Sequence, residues 1–158
     1  MSVATKLSLW GLERGLRSVR SLARRRGRIE EFPVHLATGL AGEEAAFFYL
    51  RRHGFTVVAQ RWNEGPTPGE IDLIAWQGDV LCFIEVKTRT SRDVTTASSA
   101  VDRHKRKTLR RMARMYMHHL PEGEPPPVRF DIVTVYELAG QPKEIQLIPG
   151  AFGWSEVY

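Results

Sequence analysis

Apolar and polar positions along this chain repeat with two different periods, and the switches between them mark out the elements. From about 40 to 53 the residues Ala46, Phe47 and Leu50 recur at helical spacing, which predicts a helix stopped by Gly54. A strand is predicted over about 55–61. Asn63 to Gly69, with Pro66 and Pro68, predicts a loop. Two strands follow, over about 70–76 and 80–89, joined by a tight turn at Gln77-Gly78-Asp79. A long helix is predicted over about 97–119, a Pro-rich surface loop from Pro121 to Pro127, and two final strands over about 128–137 and 144–149. The order α-β-β-β-α-β-β implies an α/β fold, a mixed sheet flanked by helices.

Ahead of this body, Leu9, Leu12, Leu16, Val19, Leu22 and Ala23 recur at helical spacing with Arg14, Arg17, Arg20 and Arg24 between them. Pro33 and Gly39 read as a linker. The expected organisation is therefore a basic amphipathic arm and linker over 1–38 and one folded domain over 39–158.

Charge sharpens that division. The chain of 158 residues has a formal net charge of +5. Residues 1–28 hold eight Lys or Arg and one Glu, whereas the remainder holds fifteen bases and seventeen acids. The excess thus belongs to the arm, which suits an anionic partner, nucleic acid or lipid. Its basic, amphipathic character also resembles an organelle transit peptide. Cys82 is the only cysteine, which excludes an intrachain disulfide and a cysteine-rich zinc site. No apolar run approaches the length of a membrane span, and the N-terminus has no apolar secretory core. A cytoplasmic setting is expected.

Chemistry concentrates in the two middle strands. Val80 to Lys87 is mostly apolar, as a central strand should be. Because strand side chains alternate, Glu85 and Lys87 share one face. The tight turn makes the preceding strand an antiparallel neighbour and brings Asp72 within reach of Glu85. Two nearby carboxylates repel, and a hard divalent cation relieves the repulsion, with the Val86 carbonyl as a further oxygen ligand. Such a cluster activates water and neutralises charge on a phosphodiester. The competing reading is an Asp–Lys–Glu ion-pair cluster at a sheet edge.

Gly69-Glu-Ile-Asp-Leu-Ile74 followed by Phe83-Ile-Glu-Val-Lys-Thr-Arg89 resembles the YraN-type bacterial family of predicted endonucleases. That family is related to archaeal Holliday junction resolvases within the PD-(D/E)XK nuclease superfamily. Gly42-Glu43, Ala46, Leu50, Ala100-Val101, Lys105, Arg129-Phe-Asp-Ile-Val133 and Ala151-Phe152 also match, so the resemblance spans roughly 39–152. It implies a restriction-endonuclease-like fold, with Asp72 and Glu85 holding Mg²⁺ or Mn²⁺, and Lys87 as the catalytic lysine. It implies DNA, branched or distorted, as substrate; a nucleic-acid-binding module without efficient cleavage is the alternative. The related resolvases act as dimers, so a homodimer is also implied. An Asn and an Arg usual just before the Gly-Glu-Ile-Asp motif correspond here to Arg61 and Asn63.

Glu43, in register with Ala46, Phe47 and Leu50, is either a helix-start carboxylate stabilised by the dipole or a group aimed at the sheet. The family match favours the second, making Glu43 a fourth member of the catalytic set. Lys105 falls in line with Val101, Leu109, Met112 and Tyr116 on the inward stripe of the second helix. Arg103, Arg106, Lys107, Arg110, Arg111 and Arg114 surround its other faces. Together with Lys105, Arg103, Arg106, Lys107 and Arg110 form a candidate phosphate-binding ridge, the alternative being a solvated surface. Glu70 reads as a supporting acid or a plain strand-end charge. Arg129 and Asp131 alternate onto one face and can pair with each other. His53, His118 and His119 lack metal-site spacing and read as surface residues.

Overall fold

The computed structural model describes residues 34–92 and 103–155. The arm expected over 1–28, and Val101, lie outside the described residues. The elements run α1 (Val34–Arg52), β1 (Thr56–Trp62), β2 (Ile71–Gln77), β3 (Val80–Arg89), α2 (Arg103–Met117), β4 (Val128–Tyr136) and β5 (Glu144–Phe152). This is the expected order. The five strands form one mixed sheet in the sequential order β1 to β5. Only β3 and β4 are parallel; every other neighbouring pair is antiparallel. The parallel pair needs a crossover, and α2 lies within it.

The hairpin between β2 and β3 closes at Gln77 opposite Val80. Gly78 has φ 58° and Asp79 does not share that sign, as a type II′ turn with glycine in its first central position requires. The two helices cover opposite faces of the sheet. On one face Leu109, Met112 and Ala113 of α2 pack with Leu81, Phe83, Phe130 and Ile132. On the other, Ala46 and Leu50 of α1 pack with Leu73, Ala75, Cys82, Ile84, Val133 and Val135. β2, β3 and β4, buried on both sides, carry the apolar runs expected of central strands.

Two boundaries depart from expectation. α1 starts at Val34, so Gly39 lies inside a helix and the division drawn at 38/39 falls within α1. A glycine costs a helix about 1 kcal/mol relative to alanine, which the packing of the α1 face against the sheet outweighs. β5 continues to Phe152 through Pro149 and Gly150. It is an edge strand, where a missing N–H is tolerated. Gly150, at φ 62°, donates its N–H to Asp131 Oδ1 at 2.9 Å beside a break in register. Arg129 donates to the same carboxylate through Nε at 2.7 Å and Nη2 at 2.8 Å. The expected pairing of Arg129 with Asp131 is thus present, as a buried brace for the sheet edge.

Candidate active site

At the open end of the hairpin, β2 and β3 part. Their last paired positions are Leu73 and Ile84, and the next residues outward are Asp72 and Glu85. In place of a backbone carbonyl, Asp72 Oδ2 accepts the N–H of Val86 at 2.7 Å. An extended residue projects its N–H and C=O to the same side, so the Val86 carbonyl also faces this opening. Both carboxylates are buried, Asp72 at 7% exposure and Glu85 at 2%.

Glu85 is met by two ammonium groups. Lys87, two residues along the same strand face, places Nζ 2.8 Å from Oε1. Lys105, from the first turn of α2, places Nζ 3.0 Å from Oε2. Burial and then the charge of Glu85 push the Asp72 carboxyl up to about 7, against the opposing effects of the Val86 N–H and Lys105. For Lys105, burial opposes the charged form, but Glu85 and Asp72 together hold its pKa above the usual lysine value.

Glu43 reaches this region from α1. The helix begins nine residues earlier, and its first turn holds no acid, so the helix-start reading of Glu43 does not apply. What brings Glu43 close is its neighbour Gly42. A Cβ there would lie 1.9 Å from Thr88 Oγ1 on β3, so only glycine lets α1 lie this near the strand. Burial raises the Glu43 carboxyl above its ordinary range, Arg61 counteracts this, and Glu70 and Glu85 add to it. Arg61 Nε stands 3.6 Å from Glu70 and 4.0 Å from Glu43. Glu70 is therefore a partner of Arg61 immediately before β2.

Two features of the site were not read from the sequence. Arg61 is the one described non-glycine residue at positive φ, 49°, an uncommon conformation for an L-residue. Thr134, in register with Lys87 on β4, is fully buried, and its hydroxyl has no hydrogen-bond partner among the described residues. A β-branched residue in an apolar strand looks like ordinary strand sequence, so nothing marked Thr134 beforehand.

The basic residues of α2 divide between two sides. Arg110 is buried, stacks 5.5 Å from the Phe152 ring centroid and donates to Gly153 O at 2.8 Å. Arg106 lies 5.7 Å over the same ring. The structure thus turns these two members of the expected phosphate-binding ridge toward β5, because the helical repeat carries them round from Lys105. Arg103 is exposed at the start of α2, and Lys107 is exposed on the side facing the β1–β2 loop. His53, His118 and His119 are exposed, as expected; His119 pairs with Glu64 at 2.8 Å.

Among the described residues no three His, Cys, Asp or Glu side chains converge as a ready cation cage. The donor set still fits a hard divalent ion. It offers two crowded, buried carboxylates and an adjacent backbone carbonyl. Magnesium commonly takes only one or two protein carboxylates and keeps several waters.

The model of the uncharacterised protein family UPF0102 matches residues 42–135, a stretch that contains every residue of this cluster. A UPF0102 protein of Koribacter versatilis is 52% identical over 120 residues, covering 76% of this chain and 82% of that protein. One from Solibacter usitatus is 46% identical, covering 72% and 84% of the two chains. One from Symbiobacterium thermophilum is 43% identical, covering 72% and 94%. Among the described residues no helix is long and apolar enough to cross a membrane.

Proposed function

The chain belongs to the uncharacterised protein family UPF0102, and from the geometry of its site we propose that it is a divalent-metal-dependent endonuclease hydrolysing DNA phosphodiester bonds. The observation that carries this reading is the pair of buried carboxylates, Asp72 and Glu85, at the point where β2 and β3 part, with Lys87 beside them. Burying two like charges together is costly unless they serve a ligand or are fully paired. Asp72, Glu85 and the Val86 carbonyl would hold Mg²⁺ or Mn²⁺. When bound, that ion supplies an activated water and neutralises charge on the phosphate.

The chain's own groups do the rest. Lys87 is one-third exposed and can donate to a phosphate oxygen, an interaction that strengthens as negative charge builds. Val86 N–H fixes the orientation of the Asp72 carboxylate. Glu43, raised by burial, is suited to hold or accept a proton at the margin of the site. Lys105 leads from Glu85 toward the basic side of α2. By family analogy, branched or otherwise distorted DNA is the favoured substrate, and a homodimer is the working assembly.

One observation favours a second reading. Both Glu85 oxygens already face ammonium groups, as in a nucleic-acid-binding module that keeps the fold without efficient cleavage. Incubating a panel of branched, linear and single-stranded substrates with Mg²⁺ or Mn²⁺ separates the two. Wild type should cleave and Asp72→Ala should not. Binding without cleavage by either would leave the second reading standing.

A further inference from the structure

A groove of about 1100 Å³ runs from the acidic site along α2, beneath the β1–β2 loop. Lys105 and Glu70 line its inner end and are themselves part of the site. We propose that this groove seats a single polynucleotide strand continuing outward from the acidic site. The inference rests on the reading above only in taking nucleic acid as the ligand.

The two walls differ in kind. On the helix wall stand His104, Lys107, Arg111 and Arg114. Their spacing of three, four and three residues sets them on one face. With a rise of 1.5 Å per residue they present a basic group every ~5 Å along the helix. Lys107, Arg111 and Arg114 are exposed, and no carboxylate pairs with them among the described residues. Arg106 and Arg110, on the other side, lie over Phe152, and Arg114 at the outer end of the stripe lies 5.3 Å over the Trp154 ring.

The loop wall is uncharged outside Glu70. Asn63 and Thr67 give it an amide and a hydroxyl. This wall is held against α2. Gly69 lies at φ 120°, where a Cβ would come within 2.4 Å of Thr108, and Arg111 donates to the Pro68 carbonyl.

One cationic wall and one neutral, hydrogen-bonding wall match a single strand. Its phosphates form one row, and its bases turn polar edges the other way. A duplex presents phosphates along both edges and would set one row against a wall without cations.

The test is fluorescence anisotropy of the full chain with labelled oligothymidylate in EDTA, over a salt series. Lys107→Gln/Arg114→Gln, which leaves the Arg111 contact to the loop intact, is compared with Arg51→Gln/Arg52→Gln, which removes equal charge from α1 on the opposite face of the sheet. The groove pair should flatten the slope of log affinity against log salt by roughly 1.4, about 0.7 for each lost single-strand phosphate contact. The α1 pair should leave the slope unchanged. Adding a single-stranded tail to a blunt duplex should tighten binding by wild type, and the groove pair should abolish that gain.

Equal losses from both pairs would show diffuse attraction and overturn the site. Equal losses for blunt and tailed duplexes would show a duplex contact and overturn the single-strand assignment. A loss confined to phosphatidylserine vesicles would assign the stripe to a lipid surface. Because binding is read in EDTA, cleavage by the wild type alongside an inert groove pair would sink only this inference. A wild type that binds no oligonucleotide in EDTA would overturn this inference, while the nuclease reading stands or falls on the cleavage panel with Mg²⁺ or Mn²⁺.

Discussion

The backbone N–H of Val86 donates to Asp72 Oδ2 at 2.7 Å where the β2–β3 ladder has ended. A carboxylate thus replaces a carbonyl as the last rung of the hairpin. This fixes Asp72 beside Glu85, and the cost shows in the Asp72 carboxyl, pushed up to about 7 mainly by burial and then by Glu85.

That shift predicts a pH dependence. The folded value lies above the ordinary 3.8, so between about pH 4 and 7 the metal-free native state holds more protons than the unfolded chain. Stability should therefore fall as pH rises through that window, by a few kcal/mol at most. Asp72→Asn keeps an acceptor for the Val86 N–H but cannot ionise. In EDTA it should flatten this fall and equal or exceed wild-type stability at pH 8. Thermal melts across pH check the point. A large loss of stability at pH 8 would instead favour the structural ion-pair reading.

Lys87 and Lys105 both meet Glu85, yet their roles should separate kinetically. Lys87→Ala should cut the single-turnover rate at saturating substrate by roughly 10²-fold, the scale of one lost electrostatic stabiliser, with binding little changed. Lys105→Ala should mainly weaken substrate binding, with a modest effect on rate. Since Lys105 occupies the side of Glu85 Oε2, its removal should also tighten Mn²⁺ binding in the absence of substrate. A wild-type cleavage rate for Lys87→Ala would remove the lysine from the chemistry.

Gly42 and Thr88 give a packing test. Gly42→Ala should destabilise by about 1–3 kcal/mol, as overpacking does, because its Cβ meets Thr88 Oγ1 at 1.9 Å. Thr88→Ala in the same chain should restore most of the loss. Denaturant unfolding of the two single variants and the double measures the coupling. Additive effects would mean that α1 does not lean on β3 through this contact.

Much of the site was legible because strand alternation is a strong constraint. A run of apolar residues carrying Glu85 and Lys87 two apart allows one face for both, and the Gly78-Asp79 turn sets the register that leaves Asp72 opposite Glu85. Lys105 was legible as an inward residue from its spacing to Leu109 and Met112, though its partner was not. Glu43 was placed on the correct face but assigned too early a position in its helix. Local propensity makes Gly39 look like a linker, whereas tertiary packing carries α1 through it. The Pro149-Gly150 irregularity depends on a partner far along the chain, Asp131, and nothing in the residues around Arg61 marks its left-handed backbone. The division of the α2 cations likewise appears only once Phe152 is folded back against the helix.

The most direct measurement is calorimetric titration of wild type, Asp72→Asn and Glu85→Gln with Mn²⁺ at pH 8. Wild type should bind the ion, and each substitution should weaken binding strongly, since each removes one of the two carboxylates that crowd the end of the hairpin. Equal binding by all three proteins would contradict a metal centre at Asp72 and Glu85. The cluster would then stand as a structural ion-pair network around Glu85.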